Sequence, residues 1–282
     1  MSLLDDLGIR FNTDKASRNR VRDKTTPIEE RPAGHNYLVK YDHFLRHLIN
    51  KNDLKMLELG AGPDWNLGAS AYMWAEYFRR CQDIHVAELR PSGRAIANER
   101  IHPRIGDLSD RKFLAELAQT EWDFIIDDAS HLWSHQILAL AALIPSVKEG
   151  GIYIVEDIQT SFGKLRRKYG DPEGRIFKTS NEPDQESGVT GMNRGCQLMT
   201  KLRRVLALAT SGLASFRKSC AMTILSEISF YVAGGGDSHP ALKRSKNLNL
   251  VQEIGNQIDS ITFIGGSAIL VKKSLDNTYL SG

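Results

Sequence analysis

Four times between residues 55 and 155 a short apolar run stops abruptly at a glycine or an acid. Each time it gives way to a stretch of helical character. The runs are Lys55-Met-Leu-Glu-Leu-Gly60, Ile84-His-Val-Ala-Glu88, Phe124-Ile-Ile-Asp127-Asp128 and Ile152-Tyr-Ile-Val-Glu156-Asp157. Apolar runs this short, with almost no polar alternation, read as strands buried on both faces. Alternated with helices, they predict an α/β fold: a doubly wound, mostly parallel sheet joined by right-handed crossovers. Near the C-terminus, Ser260–Ile264 and Ala268–Lys272 flank Gly265-Gly266, which predicts a hairpin. The sheet then carries an antiparallel edge; seven strands are expected, with a third strand ahead of Asp107 and Ile224–Val232 a further candidate.

Helices fill the gaps. Tyr41, Phe44, Leu45, Leu48 and Ile49 fall at helical spacing. Ser70 reads as the N-cap of a helix over Ala71–Arg80, and Pro91-Ser92 opens another. Phe113, Leu114 and Leu117 share a helix face, and a further helix is expected over about Ser134–Ile144. Residues 1–34 are polar and irregular, which reads as a mobile leader or as a lid that orders over a ligand. Residues from Gln159 to about Gly191 lose periodicity, the mark of a functional loop or of disorder. The expected division is a lid segment and helix over 1–50, and a catalytic domain over 51–282 with an insertion at about 160–255.

A net charge of +3 is too small to argue for nucleic acid or a membrane surface. Cys81, Cys196 and Cys220 are widely spaced and form neither a disulfide framework nor a zinc pattern. No run approaches the roughly 18 apolar residues of a membrane span. A cytoplasmic protein is the expectation.

In a doubly wound sheet, ligands bind beyond the carboxyl ends of the strands. The turn Gly60-Ala-Gly62 lets the backbone approach a nucleotide-like ligand, while Asp64 would repel a diphosphate and argues against NAD. Glu88, ending the second strand, sits where an acid accepts from ribose hydroxyls; otherwise it is a solvated strand end. Asp107 could accept from an adenine amino group or cap the helix that follows. Asp128, Glu156 and Asp157 are hard oxygen donors that repel one another unless a cation neutralises them, and such ligation suits magnesium, manganese or calcium. The alternative is that strand-end acids cap the next helices. His131 suits a general base, with an unperturbed pKa of about 6.5. A zinc pair with His135 lacks a supporting third ligand. Asp127 is expected to be structural or to face the cofactor.

These residues resemble a known family. Glu58-Leu-Gly-Ala-Gly62, the acid at Glu88, Gly106-Asp-Leu-Ser-Asp110 and the terminal hairpin are similar to class I S-adenosylmethionine-dependent methyltransferases with a Rossmann-like fold. Thr13-Asp-Lys15, His35-Asn-Tyr37, Ile126-Asp-Asp-Ala-Ser-His131 and Val155-Glu-Asp157 resemble the magnesium-dependent sugar O-methyltransferases of macrolide and related pathways, the mycinamicin and demethylmacrocin type. The likeness covers about residues 10–160 and the hairpin. It implies that Glu58, Gly60, Gly62 and Ser70 cradle the methionine part of S-adenosylmethionine. Glu88 would hold the ribose, and Asp107 and Leu108 the adenine, with Asp127 beside the cofactor. It further implies Asp128, Glu156 and Asp157 on Mg2+ (or Mn2+), His131 as base, a glycosylated hydroxyl acceptor and a homo-oligomer. A catechol-type O-methyltransferase and a non-catalytic binding protein of the same fold are the rival expectations.

Overall fold

The structure, a computed structural model, describes residues 2–19, 27–162, 164–170 and 221–274, apart from 235, 237 and 244. Its centre is one sheet of seven strands: β1 (Lys55–Leu59), β2 (Asp83–Glu88), β3 (Ile101–Ile105), β4 (Trp122–Asp127), β5 (Val147–Val155), β6 (Ile258–Ile264) and β7 (Ser267–Lys272). Their order is β3-β2-β1-β4-β5-β7-β6. The first five are parallel and β7 pairs antiparallel with β5 and β6, so the expected α/β architecture is the one observed. Gly265, at φ +57°, makes the hairpin turn between β6 and β7.

The chain leaves β1 toward β2 and β3, then returns to place β4 and β5 on the other side. β1 and β4 therefore flank a switch point, where crossovers diverge and a crevice opens at the strand ends. The register sharpens this: Leu59 pairs with Asp127, and Asp127 with Val155. Asp128 and Glu156, each one residue further on, emerge side by side.

Helices cover both faces. On one, α1 (Leu3–Phe11), α2 (Leu38–Leu45) and α3 (Ala69–Tyr77) bury Leu4, Leu38, Trp74 and Phe78 against Phe124 and Ile126. On the other, α4 (Arg111–Leu117), α5 (Trp133–Leu143), α7 (Ala221–Ala233) and α8 (Leu248–Gly255) bury Leu114, Ile137, Ile224 and Val251 against Ile125 and Tyr153. A single turn, α6 (Arg166–Tyr169), follows β5 and its 3-10 turn.

Three expectations are corrected. Ile224–Val232 lies in helix α7, not in a strand: Ala221, Ile224, Leu225 and Ile228 are the buried positions, a period near 3.6 that outweighs the β-branched content. The third strand, expected ahead of Asp107, is Ile101–Ile105. Ser70 is not an N-cap, because Gly68 at φ +76° starts α3 two residues earlier and leaves Ser70 inside its first turn. The leader is not irregular over its first part. Ser2 caps α1 by accepting from the Asp5 amide at 3.1 Å, and buried Asp5 accepts from the amide and hydroxyl of Ser17 at 2.7 and 2.6 Å. Beyond residue 170, the aperiodic stretch and most of the insertion lie outside the described residues. No helix among the described residues is long and apolar enough to cross a membrane.

Candidate active site

A cleft of about 410 Å³ opens where β1, β2, β4 and β5 end. Its floor is the glycine turn. Gly60 holds φ +97°, and a β-carbon there would lie 2.4 Å from the Asp128 carbonyl oxygen, so only glycine lets the β1 and β4 loops meet. Gly62 holds φ +79°, and a β-carbon there would only touch the Asn66 carbonyl oxygen at 3.6 Å. Glu58 is fully buried beneath the turn, with Ser70 and Trp74 as polar neighbours of its carboxylate. Burial pushes its carboxyl up to about 7, against the pull of Lys15. Ser70 stands on the cleft wall.

Glu88 is pinned at the end of β2. Its carboxylate accepts from the Ala61 amide at 3.0 Å and from the Arg90 amide and Nε, both at 2.9 Å. Burial alone would raise its pKa, but the bonds from Arg90 outweigh it and leave it lowered. Arg90 also bonds Asp64 at 2.8 Å and the Gly62 carbonyl, bridging the glycine loop to the end of β2. The aspartate that argues against a diphosphate is thus an arginine partner. Asp107 is exposed on the opposite wall and accepts from the Ser109 amide at 2.8 Å, beside buried Leu108. Asp110, not Asp107, caps α4 by accepting from the Lys112 amide. Asp127 is buried below the cleft; its Oδ1 accepts from the Ala129 amide at 3.4 Å, and burial pushes its carboxyl up to about 7.

The acidic centre occupies the deep end. His131 and Asp157 both sit in the left-handed region, at φ +56°, which turns their side chains back toward Asp128. His131 Nε2 lies 3.3 Å from Asp157 Oδ2 and 4.0 Å from Asp128 Oδ1. One ligand atom from each of Asp128, His131 and Asp157 falls within 4.8 Å of the others, the spacing of a metal centre. Asp157 Oδ1 accepts from Tyr37 at 3.0 Å and Gln159 at 2.8 Å, with His35 Nδ1 at 3.3 Å. Burial would raise Asp157, but His35, His131 and Gln159 hold it well below the carboxylate range. His135 pairs with Ser130 at 2.8 Å in α5, away from His131.

Glu156 faces a partner that the sequence reading did not assign. Lys15, fully buried, places Nζ 2.6 Å from Glu156 Oε2 and bonds Asp128 Oδ2 as well. Burial acts to lower its pKa, yet Asp128 and Glu156 outweigh that, and the ammonium is held well above its ordinary value. Glu156 Oε1 is buried with no partner. The signal for Lys15, and for Tyr37, was present in Thr13-Asp-Lys15 and His35-Asn-Tyr37, quoted above only for their resemblance.

The chain is 35% identical over 153 residues to the mycinamicin VI 2''-O-methyltransferase of Micromonospora griseorubida, a match covering 49% of this chain and 35% of the relative. It is 34% identical over 134 residues to the demethylmacrocin O-methyltransferase of Streptomyces fradiae, covering 45% and 33%. These curated relatives are O-methyltransferases. Among solved structures, the MycE methyltransferase of the mycinamycin pathway, in complex with Mg, SAH and mycinamycin VI, superposes with a TM-score of 0.60 at 19% identity, over 99% of this chain and 56% of that one. The chain shares the Rossmann-like methyltransferase fold, and the resemblance drawn from its motifs holds. No family model matches it. The matches span about a third of each curated relative's length.

Proposed function

We propose that the chain is a cytoplasmic S-adenosylmethionine-dependent, magnesium-dependent O-methyltransferase acting on a hydroxyl of a sugar or similar natural-product acceptor. The observation that carries this reading is the convergence of Asp128, His131 and Asp157 at the deep end of the glycine-turn cleft.

The donor set fits a divalent cation. Asp128 Oδ1 and Asp157 Oδ2 both lie near His131 Nε2, and Glu156, outside that group of three, follows the end of β5 with Oε1 buried and without a partner. Hard oxygen donors of this kind suit Mg2+ or Mn2+. Asp128, Glu156 and Asp157 would hold the ion. When bound, S-adenosylmethionine would supply an electrophilic methyl group, and the cation a Lewis acid that lowers the pKa of an acceptor hydroxyl.

The chain's own residues do the rest. Glu58, Gly60, Gly62 and Ser70 bind the methionine part. Glu88 receives the ribose, with Asp107 and Leu108 flanking the adenine and Asp127 supporting the turn from below. His131 Nε2, at the mouth of the acidic centre, accepts the hydroxyl proton. Orienting acceptor and donor for in-line attack supplies much of the rate. Residues at about 160–255 shape the acceptor pocket, Thr13–Lys15 and the loop at about 160–190 close over the site, and the active form is a homo-oligomer.

The test is methyl transfer to glycosylated macrolides such as mycinamicin VI, read as S-adenosylhomocysteine release with and without EDTA. Calorimetry with Mg2+ runs alongside. His131→Ala should keep Mg2+ binding and lose turnover by ~10²–10⁴-fold. Full activity in EDTA, or in His131→Ala, would sink the mechanism. Loss of Mg2+ binding in His131→Ala would instead make His131 a ligand.

A further inference from the structure

We propose that Lys15 is a positioning residue of the acidic centre: it takes one oxygen from each of Asp128 and Glu156 and leaves the other free for a divalent cation. This rests on the metal reading given above.

The geometry divides the carboxylates cleanly. Lys15 Nζ bonds Asp128 Oδ2 and Glu156 Oε2. Asp128 Oδ1 is the atom nearer His131, and Glu156 Oε1 has no partner. A carboxylate that has given one oxygen to an ammonium can meet a metal with only the other. Lys15 thus fixes both side chains as single-oxygen ligands in a set orientation, as hydrogen-bonded outer partners do in metal sites generally.

Charge points the same way. Three carboxylates in a largely buried pocket carry three negative charges, and desolvation makes that costly without compensation. One ammonium and one divalent cation neutralise them together. Lys15 is the permanent part of that balance. Its backbone is fixed independently of the acids: its carbonyl accepts from the Tyr37 amide at 2.9 Å, and the Asp14 carbonyl from the His35 amide at 2.7 Å. The same backbone pairing brings Tyr37 to Asp157. The segments around Lys15 and Tyr37 therefore hold all three carboxylates from outside.

The experiment compares wild type, Lys15→Met and Lys15→Met/Glu156→Gln by thermal unfolding in EDTA and in Mg2+. Calorimetry with Mg2+ alone is run on wild type. The methionine keeps the apolar stem and removes the charge. Lys15→Met should lose melting temperature in EDTA and gain at least about twofold more from Mg2+ than wild type, since the cation then relieves a larger imbalance. The double variant, which removes one charge of each sign, should recover melting temperature in EDTA. A purely structural ion pair also predicts that recovery, but not the larger Mg2+ response, so the response to Mg2+ is what separates the two. The proposal is overturned if Lys15→Met responds to Mg2+ no more than wild type, or if the double variant is no more stable than the single one, both failing to fold included. Wild type that binds no Mg2+ overturns the metal reading itself, and the role of Lys15 with it.

Discussion

Two residues show how little freedom the site has. A β-carbon at Gly60 would meet backbone, not a movable side chain, and φ +97° is itself unfavourable for alanine. Gly60→Ala should cost about 2–4 kcal/mol in urea unfolding and displace the Asp128 loop. A variant within ~0.5 kcal/mol of wild type would contradict the close approach. Tyr37 acts through its hydroxyl on Asp157. Tyr37→Phe should leave the fold intact, cost ~1 kcal/mol at most, and weaken Mg2+ binding by ~10-fold in calorimetry. Gly60 and the acids were legible because their residue types are distinctive at strand ends. Lys15 was not: a fully buried lysine runs against every compositional expectation, and its partners are 113 and 141 residues away.

At the scale of elements, the parallel strands were readable because their apolar runs lack alternation, helices α2 and α4 because their stripes are clear, and α5 because its apolar run is too long for a strand. α7 was misread because Ile224–Val232 is rich in β-branched and aromatic residues, a preference that packing overrode. α1 was missed although Leu4, Leu7 and Phe11 fall at helical spacing, because its nine residues open a polar stretch and were read together with it. The sheet also carries a pH-sensitive pair outside the cleft. His85 on β2 lies 5.2 Å from His102 on β3 and 5.1 Å from Trp122 on β4. Burial first, then the charges of His102 and Arg104, lower His85 to about 4. The folded state therefore resists protonation that the unfolded chain accepts near pH 6.5. This contribution is intact above pH 6.5 and is lost as pH falls toward 4. Solvent screening leaves on the order of 1–2 kcal/mol. His85→Leu should flatten the decline in urea midpoint between pH 7 and pH 4.5, and an unchanged slope would rule His85 out.

For the whole molecule, one sheet with two covered faces makes the site a property of both cores. Trp74 is fully buried, with Phe78 stacked at 6.0 Å and Phe124 edge-on at 5.4 Å. Trp74→Ala should cost ~3–5 kcal/mol in denaturant unfolding. It should also loosen the cleft, because β4 carries Phe124 and Asp127 on one short strand. The ion pairs of Lys15 have a consequence in time. A ribosome adding roughly 5–20 residues per second needs roughly 7–28 s to travel the 141 positions from Lys15 to Glu156. Through that interval the ammonium has no complete set of partners and stays hydrated, although the Tyr37 and His35 amides are already there to hold its backbone. The acidic centre is completed only when β5 has been made.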